Sequence, residues 1–194
     1  MKILFVTSNE GKVKNAQMSL ASLGIEVEQV AIDLIESRSE DPTVIALEKA
    51  RQAFKELKKP VIVEDSGFFI EALNDFPMTH VKFSLKTVGI KNIMKMMRGV
   101  KNRKAEWRMT LAYVYGENEF KTFTFIEEGE IAKNIRPIKR HMMSDYWRIY
   151  IPKMIPRNKL VLCEMTDEAL HNWQGYFAKN NHFVKFGRWL SAKK

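Results

Sequence analysis

Two hydrophobic periods run through this chain. Met1 to Thr7 is apolar and β-prone, and reads as a first strand. Ser8-Asn9-Glu10-Gly11 is a turn. From Lys12 to Leu23, residues Val13, Ala16, Leu20 and Leu23 then fall on one helical face, and Gly24 stands where a helix stops. Ile25 to Ala31 alternates as a second strand. Ser39-Glu40-Asp41-Pro42 starts a helix over Thr43 to Leu57, in which Val44, Leu47, Ala50, Ala53-Phe54 and Leu57 repeat at helical spacing. Val61-Ile62-Val63 is a short β-branched strand that delivers two adjacent carboxylates, Glu64 and Asp65. Ser66-Gly67 is predicted to turn there, with backbone N–H groups open to an anion.

Beyond this point the pattern predicts a helix or turn over Phe68 to Leu73, a stop at Asn74-Asp75-Phe76-Pro77, and a third helix over Lys86 to Met97. Arg103 to Tyr115 and Glu119 to Ile126 alternate as a hairpin around Gly116-Glu117-Asn118. Glu127 to Glu130 reads as a turn, Ile131 to Ile135 as a further pairing segment, and Tyr146 to Ile151 and Leu160 to Met165 as strands. Thr166-Asp167-Glu168 caps a helix from about Ala169 to Lys179, and His182 to Leu190 is helical. The expectation is an α/β fold: an elongated, twisted mixed sheet flanked by helices, forming one domain over residues 1–194 with two lobes around a central cleft. Sheets of this kind place ligands at the carboxyl ends of their strands.

Composition narrows the class. A hydrophobic content of 45% with 28% charged residues is globular. The chain has no apolar run of the roughly 18 residues a membrane span needs. The amino terminus has too short an apolar stretch, and no small-residue cleavage site, for a signal peptide. Cys163 is the only cysteine, which excludes an internal disulfide and a cysteine-built zinc site and suits a reducing cytoplasm. His80, His141, His171 and His182 lack metal-ligand spacing. Residues 1–83 hold 10 Lys/Arg and 13 Asp/Glu, whereas the remainder holds 22 and 10. That asymmetry points to a polyanionic partner, a nucleoside triphosphate or a nucleic acid, or else to a basic solvated surface.

Three pieces of the first half assemble into a site. Thr7-Ser8-Asn9-Glu10-Gly11-Lys12 puts a hydroxyl, an amide and a lysine where a strand hands over to a helix, a place that attracts phosphate. Its glycine spacing is not that of a Walker loop. Glu40 stands at a helix start, with Lys49 two to three turns on. Glu64-Asp65-Ser66-Gly67 supplies carboxylates of the kind that bind Mg²⁺ or deprotonate water.

These pieces resemble the inosine triphosphate pyrophosphatase family, the noncanonical purine NTP pyrophosphatases. Thr7 to Lys12 is similar to that family's T/S-x-N-x-x-K segment, and Glu40-Asp41-Pro42 with Ala46 to Ala50 to its acidic helix start and following lysine. Val63 to Gly67, Ala72-Leu73-Asn74 and Phe76-Pro77 are similar to its D-D-S-G, A-L-N and F-P signature, and Arg103-Lys104-Ala105 to the start of the strand after its third helix. The resemblance covers about residues 1–135. It implies an Mg²⁺-dependent hydrolase that splits a nucleoside triphosphate into monophosphate and pyrophosphate, and a homodimer. It implies Asp65 as the residue that activates water and, with Glu40, binds Mg²⁺. Thr7, Ser8, Asn9, Lys12, Lys49, Ser66 and Gly67 would line the phosphate site.

The carboxy-terminal half departs from the family. Asp145-Tyr146-Trp147-Arg148 replaces its G-Y-D-P. Its Ser-His-Arg falls on Asn172-Trp173-Gln174 in one register and on Gln174-Gly175-Tyr176 in another, and the lysine before it on Glu168 or Leu170. In the family these segments hold the purine base, so altered base specificity is expected. Tyr146, Trp147, Arg148 and His171 are the candidate base contacts, with Trp147 and Trp173 equally readable as core. Arg136, Lys139 and Arg140 read as a solvated loop or an electrostatic funnel. The alternative to an enzyme is a catalytically weak paralogue that binds a nucleotide or nucleic acid through the aromatic and basic residues of positions 130–194.

Overall fold

The computed structural model describes residues 1–138, 144–154 and 159–193. In chain order its elements are β1 (Lys2–Val6), α1 (Glu10–Leu20), β2 (Glu26–Val30), α2 (Pro42–Leu57), β3 (Val61–Ile70), β4 (Pro77–Met78), α3 (Val81–Thr87), α4 (Gly89–Met96), β5 (Lys104–Val114), β6 (Phe120–Ile131), β7 (Tyr150–Pro152), α5 (Asp167–Asn180) and α6 (His182–Ser191). The strands make a seven-stranded mixed sheet in the order β2-β1-β3-β5-β6-β7, with β4 also on β3. β1 pairs parallel with β2 and β3, while β3–β4 and β6–β7 are antiparallel. The chain divides into two compact units. The first holds Met1–Ser66, Met109–Phe125 and the segment from Phe177 onward; the second holds Gly67–Arg108 and Ile126–Tyr176.

In the first unit the sheet is covered on both faces. Ile3, Phe5 and Ile62 pack with Val13, Ala16 and Leu20 of α1 and with Phe183 and Phe186 of α6. Val6, Val61 and Val63 pack with Ala46, Ala50 and Ala53 of α2. Strand side chains alternate between faces, so each strand serves both layers. Asn9 caps α1 and Asp41 caps α2, with Pro42 in the first turn of α2. The second unit is built around Phe68, Ile93, Tyr146, Tyr150, Leu162 and Trp173.

Several predicted boundaries move. β3 does not turn at Ser66-Gly67 but continues to Ile70. Gly67 serves close approach: a Cβ there would stand 2.7 Å from the Met78 carbonyl oxygen on β4. β6 likewise runs through the predicted turn at Glu127–Glu130. A Cβ on Gly129 would run into the Tyr150 ring. The predicted third helix is two helices, broken where Gly89 takes φ +73°. Tyr146 lies in a 3₁₀ turn, and only Tyr150–Pro152 is strand. The predicted last strand at Leu160–Met165 is instead a buried 3₁₀ turn at Leu162–Glu164.

Candidate active site

The site grows from the alternation of β3. Ile62 faces the α1 layer and Val63 the α2 layer, so Glu64 and Asp65, next in line, are sent to opposite faces. Each face brings a lysine. Lys12, in the first turn of α1, sets its Nζ 3.1 Å from Glu64 Oε2 and donates to the Glu64 carbonyl at 3.0 Å. Lys49, midway along α2, donates to Asp65 Oδ2 at 3.2 Å and to Glu36 Oε2 at 3.0 Å. Two adjacent acids are thus each held by a lysine from a different helix. The acids are nearly enclosed, with side chains 4% and 12% exposed.

Burial dominates the electrostatics. It pushes the Glu64 carboxyl above its ordinary range despite the opposing charge of Lys12, and the neighbouring Asp65 adds to the rise. For Lys49 burial is the largest single influence and acts downward. The charge of Asp65, followed by the bond and charge of Glu36, outweighs it, so the ammonium is held above its usual range. Asp65 is fixed at both oxygens, because Oδ1 accepts the Ser66 N–H at 2.7 Å. The N–H predicted to face an anion at Ser66 is therefore turned onto Asp65.

The loop before α1 shows the same economy. Asn9 Oδ1 accepts from the N–H groups of Gly11 and Lys12, and the Asn9 N–H is taken by Thr7 Oγ1. The backbone N–H groups of Gly11 and Lys12 are thereby committed to the cap. What this loop leaves exposed is Ser8 and Asn9, while the Lys12 ammonium is drawn onto Glu64. Glu40 is exposed just ahead of the Asp41 cap.

Among the described residues, no group of three or more His, Cys, Asp or Glu is gathered as a metal cage. The available donors are carboxylate oxygens, the hard ligands Mg²⁺ takes. Mg²⁺ needs only one or two of them when waters and substrate phosphates complete the shell.

The candidate base contacts belong to the second unit, and the structure places two of them in its core. Tyr146 is wholly enclosed: its ring lies 4.5 Å from that of Phe68, and its hydroxyl shares a 2.9 Å hydrogen bond with Ser84. Trp147 is buried edge-on against Trp173, whose Nε1 donates to Glu127 Oε1 at 2.6 Å. Both are core residues, because the replaced segment folds inward as a 3₁₀ turn. Arg148 donates to the Arg136 carbonyl at 2.8 Å, and His171 is exposed on α5. Arg136 is paired with Glu164 at 3.0 Å. Lys139, Arg140 and His141 lie outside the described residues. The sequence reading also missed Glu36. Its only signal was a carboxylate in the irregular segment ahead of a helix whose polar side carries Lys49.

Known proteins share this arrangement of chain. A family model described as Ham1 family matches residues 3–173. Over 136 residues, 70% of this chain and 72% of the relative, the chain is 43% identical to a Methanopyrus kandleri protein named dITP/XTP pyrophosphatase. A protein of the same name from Saccharolobus solfataricus is 31% identical over 192 residues, covering 99% of this chain and 95% of the relative. The fold is that of a HAM1 protein from Coxiella burnetii, with a TM-score of 0.80 at 19% identity over 99% of both chains. It is also that of the Staphylococcus aureus Ham1 protein, with a TM-score of 0.76 at 19% identity over the whole of both chains. With a family model spanning most of its length and this fold beneath it, the chain belongs to the Ham1 family.

Proposed function

We propose that this protein hydrolyses a noncanonical purine nucleoside triphosphate to its monophosphate and pyrophosphate, with Mg²⁺. The observation that carries the reading is the pair of lysine–carboxylate contacts at β3, Lys12–Glu64 and Lys49–Asp65. It is joined by relatives named dITP/XTP pyrophosphatase. Lysines that neutralise buried acids can turn to phosphate oxygens when a triphosphate enters.

Asp65 is the general base. Its carboxylate is oriented by the Ser66 N–H and by Lys49, and each oxygen keeps a further lone pair for water. The water proton passes to Asp65 as the oxygen bonds phosphorus, and pyrophosphate leaves. Lys12, Lys49, Asn9 and Ser8 hold the phosphates, with Thr7 bracing the loop before α1 and Gly67 letting β3 lie close to β4. Asp65 and Glu40 would hold Mg²⁺, which supplies neutralising charge among the phosphates. Arg148, through the N–H groups its carbonyl contact leaves over, and the exposed His171 are the proposed base contacts. Loss of the family's Ser-His-Arg supports a changed base preference. A homodimer in a reducing cytoplasm completes the proposal.

The test is pyrophosphate release with Mg²⁺ from ITP, XTP, dITP, dUTP and the ordinary NTPs, wild type beside Asp65→Asn. Release that falls at least about 100-fold in the variant supports the reading. A clear preference for ITP and XTP would remove the altered base choice. Binding without release from any nucleotide would turn the reading to a nucleotide-binding protein.

A further inference from the structure

Lys49 has a partner that the reaction above leaves unused. Its Nζ donates to Glu36 Oε2 at 3.0 Å as well as to Asp65 Oδ2 at 3.2 Å. Glu36 lies in the irregular segment between β2 and α2, and its side chain is 60% exposed. An exposed carboxylate on a loose segment gains little from a lysine, because ordering both side chains cancels most of the attraction. This segment is not loose. Gln52, one turn beyond Lys49 on α2, uses its side-chain amide as a second strand of backbone would. Its Oε1 accepts from the Ile35 N–H at 2.9 Å, and its Nε2 donates to the Ile35 carbonyl at 2.8 Å. The Ile35 side chain is not what anchors the segment, since Ile35 is 80% exposed. The two hydrogen bonds to Gln52 hold residue 35 by its backbone, and Glu36 is the next residue.

An ammonium has three N–H donors. Lys49 gives one to Glu36 and one to Asp65, which leaves one for a phosphate oxygen. With Glu36 gone, Asp65 would be the remaining carboxylate on Lys49. The ammonium would then settle onto Asp65, occupy the acceptor that proton transfer requires, and draw back from the phosphate. We propose that Gln52 and Glu36 are positioning residues that hold Lys49 midway between Asp65 and the incoming phosphates. The proposal rests on the Asp65 centre being the hydrolytic site, and it assigns a task to two side chains that would touch neither water nor nucleotide.

Steady-state pyrophosphate release by Glu36→Ala, Glu36→Gln, Gln52→Ala and the Glu36→Ala/Gln52→Ala double variant tests it. Glu36→Ala is expected to lower kcat about 10- to 100-fold, the scale of a misplaced catalytic contact, without lowering KM. Glu36→Gln keeps an acceptor and recovers part of the loss. Gln52→Ala moves kcat in the same direction. The double variant is no worse than Glu36→Ala, because both act through one ammonium. A lower KM with unchanged kcat would show that Glu36 merely repels nucleotide, and would overturn the proposal. Additive losses would overturn it too. If the wild type releases no pyrophosphate, the reading of the site fails, and NMR of the Lys49 ammonium decides the positioning separately. Its signal should shift and exchange faster with water in both single variants, and an unchanged signal sinks the claim.

Discussion

Glu127 and His182 are buried side chains that work against stability at opposite ends of the pH scale. Burial pushes the Glu127 carboxyl up to about 7, against the pull of the Trp173 N–H it accepts. Between its ordinary value of 4.5 and that value the unfolded chain releases a proton that the folded chain keeps. Stability is therefore full below pH 4.5, declines as pH rises, and is lower by about 3 kcal/mol above pH 7. Glu127→Gln keeps the acceptor for Trp173 and removes the decline. Urea unfolding at pH 5 and pH 8 should show the wild type losing stability between them and the variant holding level. Equal losses in both would refute the assignment. His182 acts in reverse. Burial first, then the charges of Lys12 and Lys185, hold it down to about 3, and both ring nitrogens are buried without a hydrogen-bond partner among the described residues. Its contribution is whole above pH 6.5 and is lost as pH falls toward 3, by about 5 kcal/mol at the limit. His182→Phe should flatten the acid limb of the stability curve, and an unaltered limb would count against it. Neither burial was legible in sequence: Glu127 sat in a predicted turn, and His182 opened an amphipathic helix like any polar residue.

At the scale of elements, legibility followed period and caps. α1 and α2 were readable because one apolar face and one cap residue define each of them locally, and β1 because its short apolar run is local too. The lysines and acids they carry were legible for the same reason. Glycine misled the reading, since the same residue marks a turn when it supplies φ and a strand when it supplies room. Gly67 and Gly129 are of the second kind, and only the packed neighbour distinguishes them. The distinction can be measured. Gly129→Ala forces a methyl against the Tyr150 ring, which is fully buried and tied by its hydroxyl to the Glu127 carbonyl, so the ring has no room to yield. A loss of about 1–3 kcal/mol is expected. Gly175 lies within α5 with nothing within 4 Å of an added Cβ. Gly175→Ala should therefore gain about 0.5–1 kcal/mol from helix propensity alone. Thermal melts of the two variants should move in opposite directions, and a shared direction would refute the packing account of Gly129.

For the whole molecule, charge sets how a polyanion is met. The formal net charge is +9, and most of the surplus belongs to the second unit, which holds 17 Lys/Arg against 10 Asp/Glu. From Phe76 to Ala105 there is no acidic residue and there are eight Lys/Arg. Two of those are occupied: Lys104 with Glu71, and Arg103 with the carbonyls of Met97, Ile131 and Ala132. Lys82, Lys86, Lys91, Lys95, Arg98 and Lys101 are exposed. Charges of this kind act over about 10 Å at 0.1 M salt and much less at 1 M, so they favour encounter more than they stabilise a bound state. For a triphosphate the expected signature is a kcat/KM that falls several-fold as salt rises from about 0.05 to 0.5 M, carried by KM with kcat nearly level. Replacing Lys91, Lys95, Arg98 and Lys101 together with glutamine should flatten that dependence and leave kcat intact. A flat dependence in the wild type would mean that this surface takes no part in nucleotide capture. Salt-sensitive oligonucleotide binding, abolished by the same four changes, would instead assign the surface to a longer polyanion, because each lysine placed on a phosphate steepens the salt dependence by about one unit.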